Sequence, residues 1–127
     1  MQNQNSKLKS DLRARAYRYS ISMVEFLDDL SLSADRSSQV IVGQLLRSAT
    51  SIGANIIEAQ AASSKKDFVN YFHHSLKSAN ESLYWLGLLK DAKKISNTRI
   101  ENLLQETNEL ANILGASLLT MKGKRNF

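Results

Sequence analysis

Apolar residues recur at spacings of three and four along almost the whole chain, and no segment shows the alternation typical of a strand. The chain has no proline, so only glycine and turn-forming residues can interrupt a helix. The periodicity predicts four amphipathic helices at about 7–31, 37–62, 65–93 and 98–121. Helices of this length joined by short turns favour an all-α domain over residues 1–127, an up-down-up-down antiparallel four-helix bundle with a short basic tail.

Two sequence patterns predict helix starts. Ser64 with Asp67, and Thr98 with Glu101, have the spacing of capping boxes, in which side chains satisfy the free amides of a first turn. Gly123 is a natural stop for the fourth helix.

The second helix follows a polar turn at 31–38 and contains Gly43 and Gly53. Each glycine costs about 1 kcal/mol of helix propensity relative to alanine. A close approach of a neighbouring helix would compensate for that cost.

The second helix also carries a row of polar side chains beside its apolar residues. These residues are spaced by four, four and three positions and therefore lie on one stripe of a helix. They are Arg47, Ser51, Asn55 and Glu58. Their apolar neighbours are expected to press the stripe toward the interior. An unpartnered buried polar group costs about 1 to 3 kcal/mol, so these side chains must hydrogen-bond to one another or to a ligand. A structural network is the favoured interpretation.

Arg47 is predicted to form an ion pair across helices. Glu58 or Glu81 can accept two parallel hydrogen bonds from its guanidinium, and Asn55 can bridge the remainder. If the pair is buried, we expect Arg47→Ala or Glu81→Ala to destabilise the fold by about 3 to 5 kcal/mol, because the survivor is left charged and unpaired.

The formal charge of +5 is concentrated near the two termini. The candidate nucleic-acid-binding residues are Lys7, Lys9, Arg13, Arg15, Arg18, Lys122, Lys124 and Arg125. Such clusters attract phosphate backbones with an affinity that falls steeply with salt. The alternative is a solvated helix face and a frayed tail. Tyr17, among the arginines, could stack on a base, whereas Tyr19 belongs to the apolar stripe.

The last two helices have wider apolar faces than one bundle seam needs. Trp85, Leu88, Ile113 and Leu119 lie off the main stripes. A surplus of this kind usually meets another subunit, so we predict an oligomer.

The chain lacks the usual signatures of catalysis. A di-iron bundle needs a histidine three residues after a glutamate, and neither Glu58 nor Glu81 has one. His73 and His74 are adjacent and point to different sides of their helix, and Ser51 has no evident base. We therefore predict no enzyme, no catalytic residue, and no cofactor or metal site.

The first ten residues lack the apolar run of a signal peptide, and no later stretch approaches the roughly 20 apolar residues that a membrane span needs. Cysteine is absent, so there is no disulfide framework or thiolate metal site. We expect a soluble cytoplasmic protein with no membrane partner.

Three motifs carry a resemblance to a known family. They are QLLRSATSIGANIIEAQAASSKKDF from Gln44, the S-x-x-E of Ser78 and Glu81, and YWL at 84–86. Together they resemble the bacterial four-helix bundle family encoded in intervening sequences of 23S rRNA genes. A related branch contains the accessory variability proteins of diversity-generating retroelements. The resemblance implies a homopentamer without established enzymatic activity, and in the retroelement branch a basic ring that binds nucleic acid and a reverse transcriptase.

The family's polar pattern corresponds here to a structural network of Arg47, Ser51, Asn55, Glu58, Ser78 and Glu81. Many members have glycine after the first glutamate of this pattern, where this chain has Ala59. The expected function is an oligomeric bundle that binds RNA or DNA through a basic surface. The alternative is a protein-docking scaffold, such as an accessory subunit of a reverse transcriptase.

Overall fold

A computed structural model describes the backbone of residues 4–125 and the side chains of residues 11–123. It contains α1 (Gln4–Asp28), α2 (Arg36–Gln60), α3 (Lys65–Asp91) and α4 (Thr98–Arg125). Each helix packs against the next, and α1 also contacts α4, while the described residues form no strand. The predicted all-α, antiparallel four-helix bundle is confirmed.

Side chains cap the starts of α2 and α3. An Asp35 carboxylate oxygen accepts a hydrogen bond from the backbone N–H of Ser38 at 2.7 Å, and this bond holds the pKa of Asp35 well below its usual range. The Ser64 hydroxyl accepts from the backbone N–H of Asp67 at 3.1 Å. The hydroxyl half of the predicted capping box at Ser64 is therefore present.

The ends of α4 differ from the prediction. The Asn97 side-chain oxygen accepts from the backbone N–H of Ile100 at 2.9 Å, so the cap lies one residue before Thr98. An asparagine carbonyl caps a helix start better than a threonine hydroxyl does. At the other end the helix continues through Gly123 to Arg125, so the predicted stop at Gly123 is wrong.

The predicted apolar stripes form the core. Its largest fully buried side chains include Met23, Phe26, Leu45, Ile52, Ile56, Leu86, Leu89, Leu110 and Leu114. Contrary to the expectation from the sequence, one of the described helices, α2, has the length and apolar composition of a membrane span. Ile41, Leu45, Ile52 and Ile56 of this helix fill the centre of the bundle, whereas its Val40, Leu46 and Ile57 side chains are exposed.

The close helix approach predicted for the glycines of α2 occurs at one of them. A β-carbon on Gly53 would lie 3.5 Å from the Ala16 β-carbon of α1. No atom of another described element lies within 4 Å of a β-carbon placed on Gly43, so Gly43 has no such compensation among the described residues.

Most of the additional apolar side chains of the last two helices pack within the bundle. Trp85, Leu88 and Ile113 are partly buried against the core, and only Leu119 of the predicted set is exposed, at 74%. Those three residues therefore do not support the predicted oligomer. The exposed apolar side chains lie mainly on α1 and α2: Tyr17, Ile21, Val24, Val40, Leu46 and Ile57.

Candidate nucleic-acid interface

The up-down topology brings basic residues from three parts of the sequence to one end of the bundle. This basic end comprises the start of α1, the α2–α3 connection and the end of α4. Its basic positions are Lys7, Lys9, Arg13, Lys65, Lys66, Lys122, Lys124 and Arg125. Sequence reasoning missed Lys65 and Lys66, although the predicted topology alone would have placed them there.

Charge is distributed unequally between the two ends. The basic end, within 7–13, 58–67 and 119–125, has eight basic and three acidic residues. The opposite end, within 28–36 and 90–101, has five of each. The positive potential of the chain is therefore polarised along the bundle axis.

The described side chains of the basic end are exposed. Arg13 donates to the Gln60 side-chain oxygen at 3.2 Å, which links α1 to α2 while keeping the charge. Lys65, Lys66 and Lys122 form no ion pair with other described residues. The side chains of Lys7, Lys9, Lys124 and Arg125 lie outside the described set.

Arg15, also predicted to contact nucleic acid, is engaged within the bundle. Its Nε and Nη2 donate to the two carboxylate oxygens of Glu106 at 2.7 and 2.6 Å, and Nη2 lies 3.5 Å from Glu109. The hydrogen bond to Glu106 raises the pKa of Arg15. Its charge is compensated by α4, so Arg15 acts here as a bridge between two helices.

Arg18 lines a groove of about 430 Å³ between α1 and α4, called here the α1–α4 groove. Its other lining residues include Ser22, Glu25, Arg99, Asn102 and Leu103, and the Arg15–Glu106 bridge borders it. Sequence reasoning did not identify this groove, because it exists only where two helices distant in sequence meet.

Arg47 pairs with Glu81, one of its two predicted partners, but the pair is not buried. Arg47 forms an ion pair with Glu81 of α3 and donates to the Gln44 side-chain oxygen at 2.9 Å, and the Trp85 indole donates to Glu81 at 2.9 Å. The side chains of Arg47 and Glu81 are 56% and 37% exposed. The predicted burial is wrong, because the apolar face of α2 points to the core and leaves this stripe at the outer edge of the α2–α3 contact.

The remaining members of the predicted network do not bond to one another's side chains. The Ser51 hydroxyl and the Asn55 amide each donate to a backbone carbonyl four residues earlier, at 2.7 and 2.8 Å. Glu58 is exposed and forms no ion pair within the described part of the chain. Ser78 takes part through its backbone carbonyl, which accepts a hydrogen bond from the Ser82 hydroxyl. The interior network predicted for this set is absent.

The buried polar network is formed by other residues, one from each helix. This hydroxyl cluster consists of Tyr19, Ser48, Ser82 and Thr107, all buried. The oxygens of Tyr19 and Thr107 lie 2.7 Å apart, and those of Ser48 and Ser82 lie 2.9 Å apart. These residues could have been recognised in the sequence as polar residues at positions that belong to the apolar stripes.

Hydrogen-bond directions within the cluster follow from its backbone acceptors. Thr107 donates to the Leu103 carbonyl at 2.5 Å and Ser82 donates to the Ser78 carbonyl at 2.8 Å. The proton between Tyr19 and Thr107 therefore belongs to Tyr19. Burial raises the pKa of Tyr19 to about 12, because the charged phenolate is costly to desolvate.

The protein therefore belongs to the class of all-α four-helix bundles. It has buried hydroxyl groups at its centre and an excess of positive charge at one end. The sequence model of the 23S rRNA-intervening sequence protein family matches residues 10–116, and the chain belongs to that family. It is similar to a protein of unknown function from the S23 ribosomal protein family of Bacteroides thetaiotaomicron, whose crystal structure was solved at 1.70 Å. The two share 33% identity over 84% of this chain and 97% of the other, with a TM-score of 0.75. Curated protein sequences yield no significant match.

Proposed function

We propose that this protein is a non-enzymatic, homo-oligomeric bundle that binds nucleic-acid phosphates through its basic end. The observation that carries the proposal is the convergence of eight basic positions on one end of the bundle, against a balanced opposite end. Phosphate backbones are attracted to such a polarised surface without any need for base contacts.

The proposed oligomer is a homopentamer, as the family resemblance implies. A stripe of α1 offers apolar surface for it, because Tyr17, Ile21 and Val24 are spaced by four and three residues and are 64%, 42% and 39% exposed. A closed ring places several copies of the basic end side by side, so the modest field of one chain adds to that of its neighbours.

The binding proposal is tested by titrating structured RNA, single-stranded DNA and duplex DNA at two salt concentrations. Affinity is expected to fall as salt rises, and Lys65→Ala/Lys66→Ala is expected to lower the salt dependence by about one counterion for each phosphate that the variant no longer neutralises. Arg36→Ala/Lys77→Ala removes two exposed charges away from the basic end and serves as the control. Affinity that does not change with salt would contradict the proposal.

The oligomer is tested by light scattering at micromolar concentration. The parent protein is expected to have a mass several times that of one 14.2 kDa chain, and Ile21→Glu is expected to reduce it. A carboxylate in a buried apolar interface is costly to desolvate. The exposed Ser22→Glu, on another side of α1, is the matched control, and a monomeric parent would overturn the oligomer.

The second candidate function is a docking scaffold for another protein, such as a reverse transcriptase. It is favoured by Leu119, which is 74% exposed near the basic end. Co-purification distinguishes the two candidates. Recovery of a polymerase without nucleic acid would favour the scaffold.

A further inference from the structure

Two oppositely charged side chains of the α1–α4 groove have no ion-pair partner among the described residues. Arg18 and Glu25 are both exposed and both line the groove. They are seven residues apart on α1, which is two helical turns or about 10 Å. The groove therefore presents an uncompensated cation and an uncompensated carboxylate at separate points along one wall.

The other charges that border the groove are already compensated. Arg15 is held by Glu106. Arg99 donates to Asp29 at 2.9 Å, and its guanidinium carbon lies 5.6 Å from the centre of the Phe26 ring. A ligand that enters the groove would consequently meet Arg18 and Glu25 as its available charged partners.

Neutral hydrogen-bonding groups complete the groove. Ser22 follows Arg18 by one turn on α1, and Asn102 lines the facing wall on α4. The side chains of both form no hydrogen bond with the described residues, so a hydroxyl and an amide remain available. Leu103 adds an apolar contact.

We infer that the α1–α4 groove binds one nucleotide of a single strand, with its phosphate at Arg18 and the amino-bearing edge of its base at Glu25. A guanidinium donates to phosphate oxygens, and a carboxylate accepts from an exocyclic amino group such as N4 of cytosine. Uracil has no exocyclic amino group, so the groove favours cytosine over uracil. The inference rests on the proposed nucleic-acid binding and adds base selectivity to it.

The test compares short oligocytidylate and oligouridylate of equal length by fluorescence anisotropy. The parent is expected to prefer oligocytidylate by about fivefold or more. Glu25→Ala is expected to bring the ratio of the two affinities close to one, because the acceptor for the amino group is removed. Arg18→Ala is expected to weaken both ligands and to leave their ratio unchanged, because it removes only the phosphate contact.

Controls use equivalent residues outside the groove. Glu58→Ala removes another exposed, unpaired carboxylate, and Arg36→Ala another exposed arginine, and both are expected to keep the cytosine preference. A parent without that preference, or a preference that persists in Glu25→Ala, overturns the inference. If salt-dependent binding of oligonucleotides survives in those cases, the proposed function stands, whereas its absence would overturn both.

Discussion

The phenol oxygen of Tyr19 lies 2.7 Å from the hydroxyl oxygen of Thr107, at a buried contact between α1 and α4. These two residues belong to a cluster that has one hydroxyl from each helix. Buried polar groups restrict which residues can face one another, because a shift of one helix along another would leave them unpaired. The hydroxyl cluster therefore constrains helix register in this bundle.

Thr107→Val is expected to destabilise the protein by about 1 to 3 kcal/mol, because it removes the acceptor of the buried Tyr19 hydroxyl while nearly preserving shape. The double variant Tyr19→Phe/Thr107→Val is expected to be more stable than Thr107→Val alone, since both partners are then apolar. Urea unfolding measures each free energy. Simple additivity of the two single effects would show that the residues are not coupled.

The pKa of Tyr19 predicts a loss of stability at alkaline pH. It is about 12 in the folded protein and about 10 in the unfolded chain, so the neutral phenol is the form that folding favours. This contribution is complete below pH 10 and is lost as pH rises toward 12, by about 2 to 3 kcal/mol.

Denaturant unfolding between pH 9 and 12 measures that loss. Other groups also titrate in alkaline solution, and the pKa of one of them, Lys90, is raised by its hydrogen bond to Glu101. Tyr19→Phe retains those groups and isolates the phenol. An alkaline decline of equal size in parent and variant would rule out Tyr19 as its source.

The Arg47–Glu81 pair is expected to contribute little to stability. Both side chains are more than one third exposed, so Arg47→Ala should lower the free energy of unfolding by only about 0 to 1 kcal/mol, instead of the larger loss expected of a buried pair. Differential scanning calorimetry measures the effect. A loss of about 3 kcal/mol or more would mean that the pair is buried in solution, for example by another subunit.

The same pair can be followed through Trp85, the single tryptophan of the chain. Its indole N–H donates to Glu81, so Glu81→Ala is expected to change the tryptophan emission more than Glu81→Gln, which retains an acceptor oxygen. Equal spectra for the two variants would contradict this contact.

The glycines of α2 are expected to respond differently to substitution. Gly43→Ala should stabilise the protein by about 0.5 to 1 kcal/mol, because it lies in open space inside a helix. Gly53→Leu should destabilise it by about 1 to 3 kcal/mol, because the side chain would push against Ala16. Thermal melts of both variants, with Gly53→Ala as the matched small substitution, measure these effects. Destabilisation by Gly43→Ala would point to a contact outside the chain.

The sequence was sufficient to predict the four helices, their antiparallel order and most of the core. The reason is that a helix repeats every 3.6 residues, so Met23, Phe26 or Leu45 occupy positions that local spacing alone assigns to the apolar face. Short proline-free connections then leave few ways to arrange the helices. The sequence also limited the partner of Arg47 to Glu58 or Glu81, because donor and acceptor geometry restricts the choice, and the structure shows that the partner is Glu81.

Tertiary structure decided which polar residues are buried and which charges are close together. Periodicity assigns a residue to a face of its own helix, but the rotation of that helix against its neighbours decides whether the edge of the face is covered. For that reason Arg47 and Glu58 are exposed, while Tyr19, Ser48, Ser82 and Thr107 lie at the centre. Likewise, Arg18 and Glu25 became part of a groove, and Lys65 joined the basic residues of both termini, only because distant helices were brought side by side.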